Sequence, residues 1–157
     1  MDAYLDIETS WDGAVKVVGV YVPGRGTRQL VDGEITDVAV ARLVQGALRL
    51  YTFNGDRFDL PMIERHLRLD LRQIVPSHDL LAACRRAGLR GGLKAVERHL
   101  GIGRSFPEVD GRVAISLWRR YETLGDRDAL TLLLAYNRED VENLEILRDR
   151  LAAWSAT

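Results

Sequence analysis

Hydrophobic and polar positions alternate along residues 2–9 (DAYLDIET), which predicts a β-strand. A valine-rich run over 14–22 (AVKVVGVYV) predicts a second strand, and Ser10-Trp11-Asp12-Gly13 between them predicts a hairpin turn through its Asp-Gly pair. Pro23-Gly24-Arg25-Gly26 predicts another turn, after which 27–31 returns as a third strand. The period then changes. Val38, Ala41, Leu43, Val44 and Leu48 recur at helical spacing and predict a helix over 37–47. Residues 49–53 predict a fourth strand ending at Asn54-Gly55, followed by a helix over 57–68 that tolerates Pro61 in its first turn. A brief strand is expected at 73–75, ahead of Pro76.

From residue 79 onward the pattern is helical, with helices expected over 79–87, 92–100, 113–123 and 126–152. Gly88, Gly91, Gly101, Gly103 and Gly111 punctuate them. Asn137 falls inside the last and longest segment, where it reads as an N-cap that kinks or restarts the helix. A three-stranded meander, a βαβ-like crossing and a run of helices predict an α/β fold: a mixed central β-sheet flanked by α-helices, in a single domain spanning 1–157.

Composition narrows the function classes. The chain is 46% hydrophobic, yet no run approaches the ~20 apolar residues needed to span a bilayer, so no membrane role is expected. No basic-then-apolar leader pattern opens the chain, and a cytoplasmic location is the expectation. The single cysteine, Cys84, lies in an apolar helical stretch and reads as a buried, inert thiol. A net charge of −1 argues against coating nucleic acid by bulk electrostatics. Charge is unevenly spread, however: from Arg85 to Arg120 nine basic residues, Lys94 and Arg104 among them, face three acids, which reads equally as a solvated helical surface or as a basic flank beside an acidic centre.

Three short acidic motifs carry the candidate chemistry. Asp6 and Glu8 in LDIET are two apart on a strand, so both carboxylates point the same way, about 6.5–7 Å apart along the backbone. Like charges on one face repel unless they are solvated or a cation lies between them. Asp59 in FNGDRFD lies just past a strand end, in the first turn of the next helix, after a turn that Asn54-Gly55 allows to adopt positive φ. Tyr136 and Asp140 in YNRED are four apart and share a helix face. Each motif alone has an ordinary explanation: edge-strand acids, a helix-start acid, a tyrosine beside a surface acid. Taken together, two strand ends and one helix can converge at one edge of a mixed sheet. Four carboxylates there suit hard divalent cations, and a pair of such ions can clamp the attacking and leaving oxygens of a phosphodiester.

DIET, FNGDRFD and YNRED resemble the three motifs of the DEDD 3′–5′ exonucleases, which have a ribonuclease H-like fold. Tyr-x-x-x-Asp at the last motif resembles the tyrosine subclass; the histidine subclass needs His five residues before Asp140, and that position is Ala135. LKAVERHLGI and the stretch from ISLWRRYETL to NLEIL are similar to the YprB-type ribonuclease H-like domain, so the resemblance covers nearly the whole chain. It implies a metal-dependent 3′–5′ exonuclease that uses two divalent cations, Mg²⁺ or Mn²⁺, to release nucleoside 5′-monophosphates from nucleic acid with a free 3′ end, with single strands as the expected substrate. Asp6, Glu8, Asp59 and Asp140 would be the metal ligands, and Tyr136 would orient the attacking water. Asn54 would lie near the terminal nucleotide, with Lys94 and Arg104 as candidates for phosphate contact. A non-catalytic nucleic-acid-binding module and an endonuclease of the same fold are the alternatives, and a helicase or polymerase partner is left open.

Other residues invite weaker readings. His66, His78 and Asp79 suggest a phosphohydrolase motif, but that fold is all-helical and this chain opens with strands, so Asp79 reads as a helix N-cap. GLRGGLK lacks the Gly-Lys-Ser/Thr ending of a phosphate loop. Trp118 and Tyr121, at helical spacing on an apolar face, read as core.

Overall fold

The computed structural model describes residues 1–154. Five strands form one sheet in the spatial order β3-β2-β1-β4-β5: β1 (Asp2–Thr9), β2 (Val15–Val22), β3 (Gly26–Val31), β4 (Arg49–Thr52) and β5 (Ser77–Asp79). The meander β1-β2-β3 is antiparallel, whereas β4 and β5 run parallel to β1, so the sheet is mixed as expected. Helix α1 (Asp37–Val44) makes the crossing from β3 to β4, and α2 (Asp59–Leu67) lies between β4 and β5. The rest is helical: α3 (Leu80–Arg86), α4 (Leu93–His99), α5 (Gly111–Leu124) and the 28-residue α6 (Arg127–Trp154).

Strand alternation at β1, in the middle of the sheet, sorts the two layers. Ala3, Leu5 and Ile7 pack with Val40 and Val44 of α1 and Leu60 and Ile63 of α2. Tyr4 belongs instead to a cluster with Leu144, Leu147 and Leu151 of α6 and Cys84 of α3. A third cluster joins Trp118 of α5 to Leu133 and Tyr136 of α6. Cys84 and Trp118 are buried core residues, as the sequence suggests. None of the helices described is long and apolar enough to cross a membrane.

Two expectations need correction. The brief strand is not at 73–75; Leu71–Gln73 form a 3₁₀ turn capped by the Asp70 side chain, which accepts from Arg72 N, and β5 begins only after Pro76. Proline lacks an N–H, but its carbonyl accepts from Leu50 N at 2.8 Å, and pairing with β4 starts there. Nor does Asn137 cap or interrupt the last helix. α6 runs unbroken through it, and the Asn137 side chain, fully buried, reaches sideways to the sheet.

Candidate functional site

Asp6 and Glu8 project from β1 toward α6, where Asp140 meets them. One ligand atom from each of the three lies within 4.8 Å of the others. A register shift between Glu8 and Thr9 interrupts the pairing of β1 with β2 beside these acids. Asp59 approaches from the far side of the strand. Pairing of β1 with β4 ends at Tyr4 and Tyr51, so the edge beyond is open, and the Ile7 N–H donates to Asp59 Oδ1 at 3.1 Å. Asp59 is thereby tied to the backbone between the two strand carboxylates, with one oxygen already engaged.

The turn leading to Asp59 is tightly built. Asn54 takes a φ of 62° and donates its N–H to Asp79 Oδ1 at 2.8 Å, while Asp79 also caps α3 through Leu81 N. A Cβ at Gly55 would sit 2.2 Å from Thr52 Oγ1, so only glycine lets the chain fold back there.

Asn137 joins the motifs in a way the sequence did not suggest. Its Nδ2 donates to Asp6 Oδ2 at 3.0 Å and lies 3.4 Å from Glu8 Oε1, and its Oδ1 accepts from Gln29 Nε2 at 2.9 Å. The fit requires Gly19, opposite Asp6 on β2: a Cβ there would be 2.1 Å from Asn137 Oδ1. Arg104, in the α4–α5 loop, is equally committed. One nitrogen donates to both oxygens of Glu97 at 2.9 and 2.8 Å, and another donates to Asp140. It is therefore buried in an ion-pair network in this structure rather than free to meet a phosphate.

Two cations lie against the Tyr136 ring, with Lys94 Nζ 5.2 Å and the Arg104 guanidinium 5.3 Å from its centre. Burial, then the charges of Asp140, Glu8 and Asp6, push its hydroxyl pKa upward, so it stays protonated at neutral pH. The Lys94 ammonium is buried without a hydrogen-bond partner among the described residues. Two cavities meet at the cluster and share Asp6, Tyr136 and Asp140. The first, about 350 Å³, is lined also by Phe53, Asn54, Arg85 and Lys94. The second, about 570 Å³, is lined also by Glu8, Phe58 and Arg112.

The electrostatics suit a hard cation. Burial and then the neighbouring carboxylates raise the pKa of Asp6 well above the usual range; Glu8 is raised well above it by burial and then by Asp140. Burial pushes Asp59 up to about 7 against the opposing bond from Ile7 N. Burial likewise lifts Asp140 to about 6, although Arg104 pulls the other way. Clustered buried carboxylates with these shifts are short of positive charge, and an all-oxygen donor set matches the preference of Mg²⁺ or Mn²⁺. The residues thus fit a divalent-metal site.

The structure brings Asp6, Glu8, Asp140 and Tyr136 together, sets Asp59 against their strand, and places Asn54 and Lys94 on one adjoining cavity wall. No curated protein matches this sequence. The family model for the RNase H superfamily matches residues 3–152. With a mixed five-stranded sheet and an acidic cluster at its centre, the chain belongs to the RNase H superfamily.

Proposed function

We propose that the chain is a two-metal-ion-dependent 3′–5′ exonuclease of the tyrosine DEDD type, acting on nucleic acid with a free, single-stranded 3′ end. The observation that carries this reading is the convergence of Asp6, Glu8 and Asp140 within 4.8 Å, with Tyr136 one helical turn before Asp140. Asp6, Glu8, Asp59 and Asp140 would hold the cations. When bound, these would supply Lewis-acid charge to the scissile phosphate and to the leaving 3′-oxygen.

The chain's own groups supply the rest. The Tyr136 hydroxyl, kept protonated, orients the attacking water through hydrogen bonding. Asn137 holds Asp6 and Glu8 in place, and Asp59 is fixed by its bond from Ile7 N. Lys94, whose ammonium has no hydrogen-bond partner among the described residues, would offer it to a phosphate, and Asn54, lining the same cavity, would meet the terminal nucleotide.

The test is digestion of end-labelled single- and double-stranded DNA and RNA, beside a closed single-stranded circle, with Mn²⁺ and with a chelator. Stepwise shortening from the 3′ end, release of 5′-monophosphates and an intact circle are expected. Cleavage of the circle would reassign the site to an endonuclease. No cleavage of any substrate would favour a binding module.

A further inference from the structure

Of the three clustered carboxylates, Asp140 alone carries an ion pair among the described residues; Asp6 and Glu8 meet the neutral amide of Asn137 and each other. The partner of Asp140, Arg104, is itself anchored at the other end. Its guanidinium grips both oxygens of the fully buried Glu97, and Asn143 Nδ2 donates to Glu97 Oε1 at 3.0 Å and lies 3.4 Å from Gly103 O. The network Asn143–Glu97–Arg104 thus delivers a fixed, desolvated positive charge to one carboxylate of the cluster. A carboxylate that accepts from a guanidinium is a poorer donor to an incoming cation, and two positive charges sharing it repel.

We propose that Arg104 is a positioning residue that acts as the counter-ion of Asp140 while no metal is bound, and that a divalent cation enters the cluster by exchanging with this ion pair. The proposal rests on the reading of the cluster as a divalent-cation site. Arg104 then has two effects of opposite sign. It stabilises the metal-free protein, because a buried acid with its partner removed is left uncompensated. It also weakens cation binding, because the pair must be broken or shared. A residue serving only to hold the fold would not tighten metal binding when removed. Lys94 provides the contrast: its ammonium is also near Asp140 but makes no hydrogen bond to it, so it contributes field without exchange.

The experiment is calorimetric titration of Mn²⁺ into the wild type, Arg104→Gln, the double variant Glu97→Gln/Arg104→Gln and Lys94→Met, with the melting temperature of each metal-free protein. The double variant removes the stranded Glu97 charge, so the comparison survives if the single variant folds poorly. Arg104→Gln and the double variant are expected to bind Mn²⁺ about tenfold more tightly, and Lys94→Met to shift affinity by less than about threefold. Arg104→Gln is expected to melt lower when metal-free, with the double variant in between. Unchanged or weaker Mn²⁺ binding in both Arg104 variants overturns the proposal, as does equal tightening in Lys94→Met. If no protein, wild type included, binds Mn²⁺, the cation-site reading falls and the exchange falls with it.

Discussion

The two faces of β1 use burial in opposite ways. Ala3, Leu5 and Ile7 face α1 and α2 in a dry apolar layer, where removing surface from water stabilises the fold. On the other face the same strand places Asp6 and Glu8 beneath α6, where burial works against their charge and raises their pKa values. One face is complete as it stands, whereas the other is short of positive charge. On the proposed function, the acidic face would be kept for chemistry at the expense of stability, with the apolar face holding the strand.

The sharpest way to break the contrast is to remove one acid. Asp6→Ala is expected to lower nuclease activity on the order of 10³-fold or more while leaving the metal-free fold as stable as before or more so, read by digestion of labelled strands beside thermal melts. On the apolar face the outcome reverses. Leu5→Ala is expected to cost about 2–5 kcal/mol of stability by denaturant unfolding, with Mn²⁺ affinity unchanged in the folded fraction.

pH separates the faces further. Folded-state pKa values of about 7 for Asp59 and about 6 for Asp140 lie above the ordinary carboxylate value of about 4. Between these limits the folded protein holds more protons than the unfolded chain, so the metal-free protein should lose stability as pH rises from about 4 to about 7. Melting temperatures across that range check the direction, and Mn²⁺ should offset the loss at the upper end. The smallest effect is expected for Tyr136→Phe. It should slow hydrolysis by on the order of 10²-fold or less with Mn²⁺ binding unchanged; an unchanged rate would assign Tyr136 to packing.

Much of this was legible in the sequence because strand and helix periods fix which side chains share a face. Asp6 with Glu8, and Tyr136 with Asp140, fall together by period alone, and Asn54-Gly55 announces its turn. What stayed hidden depends on contacts distant in sequence. Asn137 reads as a cap because asparagine is unfavourable inside a helix. Its real partners are 131 and 129 residues away, at Asp6 and Glu8. That misfit of propensity with position was the available signal. Arg104 sits in a basic run that looks like exposed surface, and only folding shows it held between Glu97 and Asp140. The last strand was displaced past Pro76 because it is three residues long and pairs through its backbone, so it leaves little hydrophobic pattern to read.

The central claim is that the α6 face of β1 is a divalent-cation centre held ready by buried carboxylates. It is tested most directly by melting the wild type and Asp6→Ala at neutral pH, each with and without Mn²⁺. The account predicts that Mn²⁺ raises the melting temperature of the wild type and leaves that of Asp6→Ala nearly unchanged. An equal rise in both proteins, or none in the wild type, would contradict it.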